Sequence, residues 1–141
     1  MKALHLSKNL LYYSAWLTLL TIIFRFSLSS LLQNQFFSII WIVPTLYGIS
    51  VFCLGWIFGK KDKLHIPLFD VGFRIHLATY LICNSIAEIW FLIGQQSDFE
   101  NIRTIHLTAI YWGIFLLIHF TIYLSFRKNT IKGIKKSDIF E

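Results

Sequence analysis

Hydrophobic positions fall into four long runs separated by short polar stretches. The first covers about 9–32 and holds one charge, Arg25; the second, 36–58, holds none. The third, 71–93, contains Arg74, His76 and Glu88, and the fourth, 105–126, contains His106 and His119. At a helical rise of 1.5 Å per residue, about 20 apolar residues cross a hydrocarbon core of roughly 30 Å. Each run is long enough to span with some tilt. The links are short: Gln33 to Gln35, Gly59 to Asp70, and Gly94 to Thr104. Short links force neighbouring helices antiparallel, so the pattern predicts an all-α, polytopic four-helix transmembrane bundle, up-down-up-down. One domain, 1–141, is expected, ending in a basic tail over 127–141.

Composition agrees with that pattern. Hydrophobic residues make up 56% of the chain and charged residues 14%, with a mean hydropathy of +0.63. A soluble domain carries about 25% charged residues, and a lipid solvent accounts for the deficit. A chain this apolar does not stay hydrated as a disordered coil. The net charge of +6 raises nucleic acid as a partner. The basic residues lie between and after the apolar runs, however, and no nucleic-acid motif accompanies them.

Their distribution sets an orientation. Lys2, Lys8, Lys60, Lys61, Lys63, Arg127, Lys128, Lys132, Lys135 and Lys136 fall on one side, while Arg103 stands in the loops of the other. Cytoplasmic flanks carry the excess of Lys and Arg, which places both termini inside, N-in and C-in. The Ile, Phe, Lys and Asn usage suits an AT-rich bacterial genome, so the expected location is a bacterial inner membrane. The N-terminal run has the look of a signal peptide, but Arg25 precedes a weak cleavage site at 27–29, so a retained first helix is expected. The tail residues Arg127, Lys128, Lys132, Lys135 and Lys136 anchor that topology, with anionic lipids as candidate contacts at about 1 kcal/mol per charge.

Polar side chains within the runs identify the candidate site. His76, Tyr80, Asn84 and Glu88 recur every four residues, a step of about 40° around a helix, and form one polar ladder. Ser14, Thr18, Thr21 and Arg25 form a second stripe on the first run. Both stripes are expected to face the bundle interior, because lipid leaves such groups without partners. Arg25 and Glu88 share a depth, so an Arg25–Glu88 ion pair is expected. His76 and His119 share another depth, nearer the cytoplasmic side. Two facing imidazoles raise a haem b site with His76 and His119 as axial ligands. Stacked haems are excluded, since His106 and His119 are 13 residues apart and do not share a face.

Other motifs are sparse. No metal site is expected, because Asp70 and Glu88 lie at the wrong depth to join the two imidazoles. Cys53 and Cys83 form no CxxC pair and are expected to be small buried residues. No nucleophile triad, HExxH motif or phosphate loop occurs. Pro44 is expected to kink the second helix, Gly55 and Gly59 to permit close helix approach, and Asp70 to cap the third helix and pair with Arg74.

The expected function is that of a small non-enzymatic membrane component handling a proton, a small solute or a partner helix. The ladder His76, Tyr80, Asn84 and Glu88 would be its working face. A haem b or quinone redox subunit is the alternative from the enzyme class, and a structural subunit of a larger membrane complex is the third. Four helices hardly enclose a wide aqueous path, so a transport role favours a homo-oligomer or a membrane-protein partner.

Overall fold

The computed structural model describes residues 8–62 and 68–132. It contains four helices: α1 (Lys8–Gln33), α2 (Ile42–Asp62), α3 (Leu68–Leu92) and α4 (Ile102–Lys132). All four are long and apolar enough to cross a membrane, and no strand occurs among the described residues. His5, His65, Lys135 and Lys136 lie outside the described residues.

Helix ends follow from local backbone chemistry. After α1, Phe36 N bonds Leu31 O and Gln35 N bonds Leu32 O, each at 3.0 Å. That pattern is a Schellman stop, and it places Gln35 in the left-handed region at φ 59°. Residues 36–41 form turns instead of the start of a helix, so α2 begins at Ile42, not near 36. Pro44 therefore occupies the first turn of α2, where its missing N–H has no intrahelical partner to lose. The expected kink has no cause there. The same stop closes α3: Gln95 N bonds Trp90 O and Gly94 N bonds Phe91 O, both at 3.1 Å, with Gly94 at φ 69°.

The third and fourth helices also differ from the expected bounds. α3 starts at Leu68, which puts Asp70 inside its first turn instead of before it. The Asp70 carboxylate accepts from Arg74 Nε at 3.0 Å and from Nη2 at 2.9 Å, a bidentate pair one turn apart. α4 starts behind Asn101, whose Oδ1 accepts from Arg103 N at 2.9 Å and satisfies one of the free donors of the first turn. It runs on to Lys132, so Arg127, Lys128 and Lys132 continue the helix.

α3 is the central element. It packs against α1, α2 and α4, and α1 also packs against α2, whereas α4 makes close contact with α3 alone. The core lies along α1, where Tyr13, Leu17, Thr21, Arg25 and Ser29 are buried at a spacing of four. Ser14 and Thr18 lie beside that stripe, and Thr18 donates to its own helix at Ser14 O, 2.9 Å. Gly59 is buried, and a Cβ there would meet Ile75 Cδ1 at 3.0 Å and Val71 Cγ1 at 3.6 Å. Glycine thus lets α2 approach α3. Between Ile102 and Phe126, no α4 residue is buried, and large apolar side chains cover its surface.

Left-handed backbone is costly for any residue with a Cβ, by about 1–2 kcal/mol. Gln35→Gly is expected to raise stability by up to about 1 kcal/mol, and Gly94→Ala to lower it by a similar amount. Unfolding in mixed detergent measures both changes.

Candidate functional site

α3 presents two polar faces. Thr79, Cys83 and Trp90 meet α1 and α2, while His76, Tyr80 and Glu88 meet α4. Positions 79, 83 and 87 are offset by one residue from 80, 84 and 88, a rotation of about 100°.

The face toward α1 carries an uncharged hydrogen-bond system. Thr79 Oγ1 donates to Ile75 O at 2.7 Å, so Tyr13 OH must donate to Thr79 across the helix pair at 2.6 Å. Thr21 Oγ1 donates to Leu17 O at 2.7 Å, so Tyr47 OH donates to Thr21 at 2.9 Å. Tyr47 has then used its one proton, and Cys83 S–H donates to it over 3.0 Å. Cys83 thus joins a chain spanning α1, α2 and α3, instead of filling apolar space. Cys53 is exposed, contrary to the expected burial.

At the end of α1 the same face becomes ionic. Arg25 Nη2 lies 2.8 Å from Glu100 Oε1, with the two side chains only 5% and 7% exposed. The expected partner, Glu88, is not used. Glu88 belongs to the face turned about 100° away, where it meets His106 Nε2 at 3.0 Å, both groups half-exposed. Glu100 reaches Arg25 because the 94–101 loop folds back over α1. Its Oε2 accepts from Ser29 Oγ at 2.6 Å and from Ser97 N at 2.9 Å, and Trp90 Nε1 donates to Ser29 Oγ at 3.0 Å. Gln33 and Asp98 add two bonds of 3.0 and 3.1 Å between α1 and that loop. The carboxylate is fully engaged, but the guanidinium is not. Nη2 faces Oε1 too obliquely for a hydrogen bond, and buried Nε has no partner. The 2.8 Å contact is therefore one of charge, not of a directed N–H.

The face toward α4 holds the ladder. His76 Nδ1 and His119 Nδ1 are 3.1 Å apart, and Trp112 Nε1 donates to His76 Nε2 at 2.8 Å. An indole N–H only donates, so His76 Nε2 is unprotonated. In the neutral pair His76 then carries its proton on Nδ1 and donates it to His119 Nδ1, and the remaining proton of His119 sits on Nε2. Gly72 lies beside that ring, where a Cβ would meet His119 Nε2 at 3.9 Å, an ordinary contact. Phe73 and Tyr80 pack at its flanks through rings on His119 and Trp112. Tyr80 OH donates to Ala109 O at 3.3 Å, beside Gly113, and Asn84 Nδ2 bonds Tyr80 O within α3 at 2.7 Å.

As placed, the imidazole pair does not fit haem. Both nitrogens of His76 are engaged by protein groups, and the facing nitrogens are closer than the roughly 4 Å that two metal–imidazole bonds of about 2 Å each require. Among the described residues no group of three His, Cys, Asp or Glu side chains could hold a metal ion. Sequence reasoning missed Glu100, Tyr47, Ser29 and Trp90. The usable signal was an acid in the loop that lies at the same end of the bundle as Arg25.

Removing one partner of a buried ion pair costs about 3–5 kcal/mol. Arg25→Met and Glu100→Gln are each expected to destabilise strongly and to be non-additive when combined, with a coupling above about 1 kcal/mol. Arg25→Met with Glu88→Gln is expected to be additive in the same detergent unfolding assay. No family model, no curated protein and no solved structure matches this chain.

Proposed function

We propose that the chain is a small integral membrane protein, up-down-up-down with both termini cytoplasmic in a bacterial inner membrane, whose α3/α4 seam responds to protons. The membrane setting is supported by four span-length apolar helices and by the large apolar side chains exposed along α4 between Leu107 and Phe126. Contact order supports the topology: residues 21 and 24 of α1 meet Tyr47, and Tyr13 meets Phe58, as antiparallel neighbours do. The Lys and Arg asymmetry supports the orientation.

The observation that carries the function is the His76–His119 contact across the seam. Imidazole is the side chain that titrates near neutral pH. With one proton between the facing nitrogens, the contact is a hydrogen bond. When both rings are charged, two donors face each other and the bond is lost. The second polar pair on this seam is Glu88–His106, with His106 Nε2 at 3.0 Å from Glu88 Oε1. Phe73 packs on His119 and Trp112 on His76, and neither brings a fixed charge. Since α4 is held by α3 alone, its seating follows the protonation of the two facing imidazoles. The protein acts without chemical turnover, coupling proton uptake to the position of one helix.

Two measurements test this reading. With 5-fluorotryptophan incorporated and Trp112 assigned through Trp112→Phe, its fluorine resonance is expected to move between about pH 8 and pH 5, the imidazole range. Replacing both rings, His76→Gln with His119→Gln, should abolish that movement. A Trp112 signal indifferent to pH in the parent chain ends the proposal. For orientation, with Cys53 and Cys83 replaced, a cysteine at exposed Gln96 should react with impermeant maleimide from outside intact cells, and one at Lys61 should not. The opposite labelling would invert the topology.

A further inference from the structure

A cavity of about 510 Å³ lies between α2 and α3, bordered by Tyr13 of α1. Along α2 it extends from Val51 to Lys60, nine residues or about 13 Å. That length and volume correspond to a width of about 7 Å, narrower than an α-helix with its side chains, roughly 10–12 Å. The hydroxyls on its wall, Tyr13 and Thr79, have both donated their protons within the protein. Water is therefore a poor filling, because each buried water needs two to four polar partners. One end is different. Lys60 lines the cavity there, is exposed, and makes no ion pair among the described residues. Of the neighbouring cations, Arg74 is held by Asp70 at 2.9 Å, and Lys61 Nζ lies 5.4 Å over the Phe58 ring.

We infer that this slot holds an anionic phospholipid, its acyl chain lying between α2 and α3 and its phosphate at Lys60. The inference rests on the membrane reading and concerns a place apart from the basic tail. Three observations select that ligand. The slot is apolar along its length and cationic at one end, which is the pattern of an amphiphile with a negative head. Its length of about 13 Å is close to one leaflet, half of a hydrocarbon core of roughly 30 Å. Its width admits one or two hydrocarbon chains, whose carbons pack at about 4 Å, but excludes a partner helix. Lys60 stands in the last turn of α2, where a span meets the headgroups. Basic pockets between helices on the cytoplasmic side take anionic headgroups, and that leaflet is the negatively charged one. A neutral lipid would leave Lys60 unanswered, and a free phosphate would leave the slot empty.

Trp56 lines the slot and reports on it. The full chain carrying 5-fluorotryptophan, with Trp56 assigned through Trp56→Phe, is titrated in detergent at pH 8, above the imidazole range. The probes are phosphatidylglycerol, phosphatidylcholine with the same chains, and glycerol 3-phosphate as a head without chains. A saturable shift is expected with phosphatidylglycerol, at least fivefold tighter than with phosphatidylcholine, and none with glycerol 3-phosphate. Lys60→Gln, at an exposed position, should weaken phosphatidylglycerol about fivefold, the equivalent of about 1 kcal/mol for one charge, and leave phosphatidylcholine unchanged. Lys60→Arg should keep the preference. Val51→Phe fills the far end of the slot and should weaken both lipids at least tenfold. Equal affinity of the parent chain for the two lipids would mean ordinary lipid solvation and overturns the proposal. So does an unchanged affinity for phosphatidylglycerol in Lys60→Gln or in Val51→Phe, a saturable shift with glycerol 3-phosphate, or no shift with either lipid. Release of the chain from membranes by alkaline carbonate would instead overturn the membrane setting itself, which the comparison in detergent does not touch.

Discussion

The Arg25–Glu100 pair fixes more of the molecule than its two residues. A charge this deeply enclosed is tolerable only with a partner, and the partner sits on a loop. Glu100 also gathers Ser29 and the Ser97 amide, so the 94–101 loop is tied to α1 at a single point. Asn101 follows at once and starts α4. Where α4 begins decides which of its residues oppose α3. His119 lies 17 residues after Ile102, about 26 Å along the axis, and a slip of one residue turns it by about 100°. The seating of His119 opposite His76 thus depends on an ion pair at the other end of the helix.

The two faces of α3 are chemically different. Toward α1 and α2, every hydroxyl or thiol proton is passed to a neighbour until a backbone carbonyl takes the last one: Cys83 to Tyr47 to Thr21 to Leu17 O, and Tyr13 to Thr79 to Ile75 O. Such a chain has one satisfied arrangement and no group that ionises near neutral pH. Toward α4 the polar contacts are His76–His119, whose hydrogen bond depends on proton number, and Glu88–His106. One side of α3 is held by a fixed network and the other by a titratable one. Movement of one helix against the rest is therefore easiest for α4, the helix with no second neighbour to hold it.

The helices were legible because apolar run length is a strong signal, and Asp70–Arg74 was legible because residues four apart on a helix must meet. The bounds of α2 were not. A run of apolar residues at 36–41 reads as helix, but the Schellman stop at Gln35 spends those residues on turns, which moves Pro44 into a first turn where it is harmless. The ladder at 76, 80, 84 and 88 follows from spacing alone. Its neighbour does not: periodicity gives the angle between two stripes on one helix, not which helix each stripe faces. Arg25 and Glu88 agree in depth yet differ in face, and Glu100 of the 94–101 loop took the place.

That angle also explains a cleft between α1 and α4. The stripes of α3 that meet α1 and α4 are about 100° apart. Packed helices lie 8–10 Å apart, so two helices seated on α3 at that angle stand about 14 Å from each other. Direct packing between them would need an angle near 60°. The surplus is roughly 4–5 Å. A fold of four helices could close this gap by rotating α4 around α3, but that rotation would pull His119 off His76 and His106 off Glu88. The seam and the cleft are thus two consequences of one geometric choice. The ladder holds α4 where its polar partners on α3 are, and that position leaves an opening between α1 and α4.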